Sequence, residues 1–134
     1  RRVLGVEVDI VQVESATYLE ELDLQKYQAF YAGWQADYPD PQDFLDILFH
    51  SESSLNHMAY SNPEVDSILE QARVEHDTIR RRDLYQEVEA KLVNDAAWLP
   101  LWYSGEQFVL IKPNVKGYKL TPMIVPKMAD VFVE

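Results

Sequence analysis

The sequence predicts an α/β fold, and three features of its 134 residues support that prediction. Apolar and polar residues alternate over residues 3–13, as in a strand with one buried face. Residues 27–34 are aromatic and nearly uncharged, as in a strand that is buried on both faces. Between these segments, and again in the second half of the chain, apolar residues recur every three or four positions, as in amphipathic helices.

The first helix is predicted to begin at residues 15–17 and to run to about Leu24. A strand, a helix and a second strand in this order form a βαβ unit, whose crossover is right-handed by strong precedent. The chain must turn after the second strand, because Pro39 and Pro41 lack an N–H and restrict the residues before them.

Three helices are predicted after this turn, the first of them short and followed by a polar loop over residues 51–57. Asn62 is expected to cap the second helix, and Pro63 to occupy its first turn. The apolar positions that define the three helices are, in order, Phe44, Leu45, Leu48 and Phe49; Val65, Ile68, Leu69 and Ala72; and Leu84, Tyr85, Val88, Leu92 and Val93.

Opposite charges stand four residues apart on the last two helices, at Arg73/Asp77, Asp77/Arg81 and Glu87/Lys91. Residues 80–82, three consecutive arginines, are therefore interpreted as a solvated face rather than an anion site.

The last third of the chain is predicted to be extended over residues 98–112, with interruptions at Pro100 and at residues 104–105. Turns are expected at Gly117 and Pro122, and a final strand over residues 131–133.

The composition excludes several classes of protein. Twelve Lys and Arg against 23 Asp and Glu give a formal net charge of −11, which repels phosphate backbones, so nucleic acid is not an expected partner. The absence of cysteine excludes disulfides and thiolate chemistry. No apolar run approaches the roughly 20 residues of a membrane span. Residues 1–5 do not resemble a signal peptide, so the chain is expected to begin inside a longer protein.

Motifs for catalysis are absent from the sequence. His50, His57 and His76 have no spacing that indicates a metal site, and there is no P-loop, nucleophile elbow or dinucleotide-binding motif. We therefore expect neither a metal nor a cofactor.

Asp37, Asp40 and Asp43 form a carboxylate cluster that is open to two interpretations. An enzyme would use Asp37 and Asp40 for acid–base hydrolysis. The plainer interpretation gives Asp40 and Asp43 turn and helix-capping roles.

A binding role is also consistent with this segment. Gly33 permits close approach of another backbone, Trp34 offers a large apolar face, and Asp37 places a carboxylate where the second strand ends. Ligands of α/β sheets bind at that end of the strands, and a carboxylate there suits a cationic group such as an ammonium. The alternative is a core tryptophan beside an aspartate in a surface turn.

Residues 31–45 read YAGWQADYPDPQDFL, which resembles the G-W-x-A-D-Y-x-x-P motif of the family 5 extracellular solute-binding proteins, the peptide-binding receptors of ABC importers. The resemblance continues, in the same order, through Asn56, residues 60–66, Arg81 or Arg82, residues 84–85 and residues 99–101.

The resemblance implies a fold, a location and partners. It identifies residues 1–134 as a single domain, most of the carboxy-terminal lobe of a longer α/β receptor with the two-lobed clamshell of the periplasmic-binding-protein type II fold. Such a receptor is extracytoplasmic, in the periplasm or at the cell surface, with lipid anchoring through a segment before residue 1. Its expected partners are a peptide, the remaining lobe and the membrane permease of an ABC importer.

The resemblance also implies a role for each site residue. Asp37 would pair with the ammonium at the peptide's amino terminus, the backbone of Ala32, Gly33 and Trp34 with the extended peptide, and Trp34 would wall a side-chain pocket. Tyr38 completes this non-catalytic ligand-binding set, and in a single lobe Trp34 and Tyr38 should be exposed. A receptor for another solute, such as an oligosaccharide or a metal chelate, is the alternative within the family.

Overall fold

The structure is a computed structural model that describes residues 3–103, 108–121 and 127–134. Its helices and strands, in chain order, are α1 (Ser15–Asp23), α2 (Gln42–Phe49), α3 (Pro63–Val74), α4 (Thr78–Asn94), β1 (Val115–Lys116) and β2 (Phe132–Val133). The turn predicted at Pro122 and the interruption predicted at residues 104–105 lie outside the described residues. Within the described part, no helix is both long and apolar enough to cross a membrane.

The four helices confirm the helical periodicity of the sequence. At the start of α3, the Asn62 side chain accepts a hydrogen bond from the Glu64 N–H at 3.0 Å, and Pro63 is the first helical residue, both as predicted. The cap of α1 is Glu14, the residue before the predicted start, and its carboxylate accepts from the N–H groups of Ala16 and Thr17.

Helices α2, α3 and α4 enclose the hydrophobic core. Its central side chains, which are almost inaccessible to solvent, are Phe49, Val65, Leu69, Val88 and Leu92. Trp98, just after α4, packs edge-on against Phe49 with ring centroids 5.2 Å apart. The core therefore lies directly beneath the carboxylate cluster, because α2 carries both Phe49 and Asp43.

The two strands predicted for the first third of the chain are not formed in the part of the chain that the structure describes. Residues 3–13 and 27–34 lie outside the helices and strands, and neither segment pairs with a strand within the described ranges. Residues 27–34 are also largely exposed rather than buried on both faces. A strand requires a neighbouring backbone to satisfy its N–H and C=O groups, and the described residues supply none for these segments.

The predicted charge pairs on the helices are partly wrong. Glu87 and Lys91 do approach each other, at 3.7 Å. Asp77 instead caps α4 by accepting from the N–H groups of residues 79 and 80. Arg73 and Arg81 reach Asp46 and Asp40 in tertiary ion pairs, so the interpretation of residues 80–82 as a wholly solvated face fails at Arg81. The packing of α2 against the other helices brings Asp40 and Asp46 close to the two arginines, so these tertiary ion pairs form instead of pairs between residues four apart.

The final predicted strand is confirmed over Phe132–Val133, which pairs antiparallel with Val115–Lys116. Gly117 follows β1 with a φ of 76°, as the predicted turn requires. A Cβ atom at this position would lie 1.9 Å from the carbonyl oxygen of Asp130, so only glycine fits.

Candidate functional site

The loop between residues 34 and 42 is tied to α4 by an arginine. Asp40 forms a double hydrogen bond with the Arg81 guanidinium, both N to O distances being 2.8 Å, and it also accepts from the Gln42 N–H at 2.9 Å. The hydrogen bonds from Arg81 lower the pKa of Asp40. The turn role predicted for Asp40 is therefore correct only in part, because this carboxylate also joins two distant segments.

Asp43 is buried beneath the loop, in the first turn of α2, with 0% of its surface exposed. Its Oδ2 atom accepts a hydrogen bond from the Trp34 indole N–H at 3.0 Å and another from the Asp37 backbone N–H at 3.1 Å. The predicted capping role for Asp43 is wrong, because Pro41 is the N-cap of α2 and the Asp43 side chain forms no capping hydrogen bond with this helix. The two hydrogen bonds to Oδ2 hold the Trp34 ring and the Asp37 backbone against a single oxygen atom of Asp43.

The Asp37 carboxylate itself is free. Its side chain is exposed and forms neither a hydrogen bond nor an ion pair with any residue that the structure describes. Two nearby carboxylates are neutralised, Asp40 by Arg81 and Asp46 by Arg73. The loop therefore presents one unpaired surface carboxylate at the end of residues 27–34.

Trp34 and Tyr38 flank this carboxylate and remain partly accessible, at 38% and 36% exposure. The Tyr38 hydroxyl donates a long hydrogen bond of 3.4 Å to Gln42. Burial, followed by the charges of Asp43 and the neighbouring aspartates, raises the pKa of Tyr38. The face beside Asp37 is thus both aromatic and electronegative, and Trp34 is not a core residue.

The backbone of residues 32–34 is open to a partner. Its N–H and C=O groups form no hydrogen bonds within the described part of the chain. No atom lies within 4 Å of the position that a Cβ atom at Gly33 would occupy. The segment is held from the side, because Tyr18 donates a hydrogen bond of 2.7 Å to the Tyr31 carbonyl and the Tyr31 ring packs on Trp102.

The five predicted ligand-binding residues form an open surface rather than a pocket. A polar cavity of about 350 Å³ between α2 and α3 and an apolar one of about 240 Å³ beside Trp98 are lined by other residues. Nor do the described residues contain a group of three side chains that could hold a metal ion. The arrangement offers one wall for a ligand: a carboxylate, two aromatic rings and a free extended backbone.

Other residues that carry the family resemblance support the scaffold instead of the site. Asn56 is buried and exchanges hydrogen bonds with the backbone of Tyr60, and the Tyr60 hydroxyl donates to Asp95 at 2.6 Å. Burial, together with the Asp95 hydrogen bond, raises the pKa of Tyr60 to about 12. Asp66 accepts from the backbone N–H and the hydroxyl of Ser51.

Comparison with solved structures gives the class of protein. The chain superposes on a structure of the pheromone receptor PrgZ that describes its mode of peptide binding, with a TM-score of 0.76 and 25% sequence identity. The superposition covers 98% of this chain and 25% of the receptor. The fold is therefore that of one part of a type II periplasmic-binding protein, an α/β architecture. No family model matches the chain.

Curated relatives identify the family. The periplasmic oligopeptide-binding protein OppA of Escherichia coli is 35% identical over 88% of this chain, which corresponds to 21% of OppA. The haem-binding protein A of Haemophilus influenzae is 31% identical over 89% of this chain and 22% of its own length. The chain is thus a segment homologous to the family 5 extracellular solute-binding proteins, and it spans about a fifth to a quarter of their length.

Proposed function

We propose that this chain is most of the carboxy-terminal lobe of a peptide-binding receptor, and that Asp37 binds the amino-terminal ammonium of the peptide. The observation that carries the proposal is the exposed carboxylate of Asp37, which has no hydrogen-bond or ion-pair partner among the described residues, whereas the aspartates at positions 40, 43 and 46 are paired or buried. A cation enclosed against such a carboxylate gains an ion pair in a site partly shielded from water.

The free backbone of residues 32–34 supplies the second element of recognition. An extended peptide can add to such a segment as a further strand, and the resulting hydrogen bonds do not depend on side-chain identity. The open space at Gly33 leaves room for the peptide backbone to approach closely. We therefore expect broad specificity for side chains and strict specificity for a free amino terminus.

The remaining parts of the proposal follow from the family. The receptor encloses its ligand between this lobe and a second lobe, delivers it to the membrane permease of an ABC importer and catalyses no reaction. It acts outside the cytoplasm, in the periplasm or at the cell surface. Relatives named for periplasmic peptide binding support this location and ligand class.

The test is the substitution Asp37→Asn in the longer protein that contains this chain, with alanine peptides of two to five residues as ligands. We expect the affinity for free peptides to fall by about 30-fold or more, because a buried unpaired charge costs roughly 2–5 kcal/mol and about 1.4 kcal/mol corresponds to tenfold. N-acetylated peptides should already bind weakly and change by less than about threefold. Isothermal titration calorimetry measures both affinities.

Asp83→Asn is the matched control, because it changes the net charge equally at an exposed residue of α4 whose ion pair, among the described residues, is with Arg82. Asp40→Asn would be a poor control, since it breaks the ion pair with Arg81. An Asp37→Asn protein that keeps peptide affinity within about threefold contradicts the ammonium site. A receptor for an oligosaccharide stacked on Trp34, or for a metal chelate, would then be the better interpretation.

A further inference from the structure

Asp43 is a buried acidic side chain whose hydrogen bonding is incomplete among the described residues. It is completely buried, and its Oδ1 atom has no hydrogen-bond partner among the described residues. Burial of such a group is costly unless its bonds compensate. Arg81 and Arg73 reach the carboxylates three residues before and after it, whereas no arginine or lysine bonds to Asp43 in the described residues.

The bonds that Asp43 does form join both parts of the proposed ligand site. Its Oδ2 atom receives the Trp34 indole N–H and the Asp37 backbone N–H, at 3.0 and 3.1 Å. Trp34 ends the free backbone segment, and Asp37 carries the free carboxylate. A single oxygen therefore fixes the separation between the backbone that pairs with a peptide and the carboxylate that receives its ammonium.

We propose that Asp43 is a positioning residue for peptide recognition: it sets the register between the backbone of residues 32–34 and the Asp37 carboxylate, so that an ammonium reaches Asp37 only from a peptide aligned on that backbone. This inference rests on the proposed function of Asp37. Asp43 itself lies beneath the surface and does not contact the ligand.

The residue acts through geometry, because the separation of two recognition elements determines whether one ligand can satisfy both. When the separation varies, a peptide that bonds to the backbone leaves its ammonium unpaired for part of the time, and the advantage of a free amino terminus declines. Affinity for peptides without that ammonium depends on the backbone alone. The ratio of the two affinities therefore reports on the position of Asp37, whereas a general loss of stability lowers both affinities together.

The experiment uses the longer protein that contains this chain and measures, by calorimetry, the affinity ratio between the tightest-binding free alanine peptide and its N-acetylated form. We expect Asp43→Ala to lower this ratio by about tenfold or more, since both hydrogen bonds are lost. Asp43→Asn keeps an oxygen acceptor in the same place and should restore the ratio to within about threefold of the unsubstituted protein.

Asp46→Ala is the matched control, because Asp46 lies one turn further along α2 and is also buried, but bonds to Arg73 and Gln42 instead of the site. It should lower the thermal unfolding midpoint and leave the ratio unchanged. Trp34→Phe, a change at a partly exposed residue, replaces the indole by a smaller ring without the N–H donor. It should lower the ratio several-fold even where Asp43→Ala fails to fold, whereas the change in ring size alone should alter both affinities together.

A double substitution separates this inference from the proposed function. In an Asp37→Asn background, Asp43→Ala should lower free-peptide affinity by less than about threefold more, because the two residues act as one unit. If Asp37→Asn abolishes the ratio but Asp43→Ala leaves it intact, the positioning role is wrong and the proposed function stands. An Asp43→Asn protein as impaired as Asp43→Ala also overturns the positioning role. If Asp37→Asn has no effect, the proposed function fails and this inference fails with it.

Discussion

The four aspartates between residues 37 and 46 occupy four different environments. Asp37 is exposed and unpaired, Asp40 is paired with Arg81, Asp43 is buried against Trp34, and Asp46 is buried in an ion pair with an arginine of α3. Their positions in the sequence differ by three residues each time, yet the partners of the last three come from different parts of the chain. Chemical identity alone therefore does not indicate which aspartate meets a ligand.

The Asp46 ion pair should make the stability of the chain depend on pH. Burial opposes ionisation of Asp46, but the hydrogen bonds and the charge of Arg73 outweigh it and lower its pKa. A carboxyl group with a lowered folded-state pKa contributes stability above its unfolded pKa of about 3.9 and loses that contribution as the pH falls through the folded value. We expect Asp46→Asn to cost about 1–3 kcal/mol at pH 7 and to flatten the loss of stability below about pH 4.

Urea unfolding of the chain and of the Asp46→Asn variant between pH 7 and pH 2.5 measures this dependence. The difference between the two curves isolates Asp46 from the other carboxyl groups, Asp40 included. Two parallel curves would show that the ion pair with Arg73 contributes no pH-dependent stability.

At this scale the sequence predicts the exposed part of the candidate site and misses the buried part. The motif around Trp34 and Asp37 indicates a binding surface, and both residues lie at the surface. The plainer interpretation of the sequence gave Asp43 a turn or helix-capping role, because aspartates are common at both kinds of position. The one available signal was the Trp34 indole, whose N–H requires an acceptor when the ring is partly covered, but sequence spacing does not show which acceptor.

At the scale of the elements, α3 and α4 form the main packing unit. Val65, Leu69 and Ala72 of α3 and Val88 and Leu92 of α4 are almost wholly inaccessible to solvent and lie in one cluster. The helices follow each other after the short connection over residues 75–77, in which Asp77 caps α4. Stability of the helical part should therefore depend mainly on this contact.

We expect Leu69→Ala to destabilise the chain by about 2–5 kcal/mol, because the substitution leaves a cavity in a closely packed core. Leu19→Ala is the matched control, since Leu19 lies on α1 with 57% of its surface exposed, and it should cost less than about 1 kcal/mol. Thermal and urea unfolding give both values. Equal losses at the two positions would contradict the assignment of the core to the α2, α3 and α4 contact.

Helices and strands differed in how well the sequence predicts them, for a physical reason. The hydrogen bonds of a helix close within its own residues, so the apolar period and the Asn62 cap were sufficient to predict α3. The hydrogen bonds of a strand close on another segment, so an alternating pattern shows only that residues 3–13 are suited to a sheet. That segment keeps exposed apolar residues, Val8 at 77% and Ile10 at 93%, without a partner strand in the described part.

At the scale of the whole molecule, the proposed ligand-binding residues lie on an exposed surface rather than in a cavity. Asp37 and residues 32–34 are exposed, and neither of the two cavities in the described part of the chain is lined by them. Affinity for small ligands usually requires that most of the ligand surface is enclosed. The chain also covers about a quarter of the receptor on which it superposes.

We therefore expect the 134-residue chain alone to bind alanine peptides with a Kd weaker than about 1 μM, because a single wall excludes too little water. Isothermal titration calorimetry gives the affinity, and circular dichroism establishes that the helices are formed in the same sample. Sub-micromolar binding by the folded chain would contradict the requirement for a second lobe.

The contiguity of α2, α3 and α4 in the chain also bears on the order in which the protein folds. The core residues lie between residues 44 and 98, so most of its contacts join positions that are close in sequence. Contacts of this kind form with a small loss of loop entropy, and helical units rich in them fold in microseconds to milliseconds. No strand pairs with residues 3–13 in the described part of the chain, so this segment forms no local strand contacts there. We expect the helical unit to form first as the chain emerges from the ribosome, with the extended segments pairing around it afterwards.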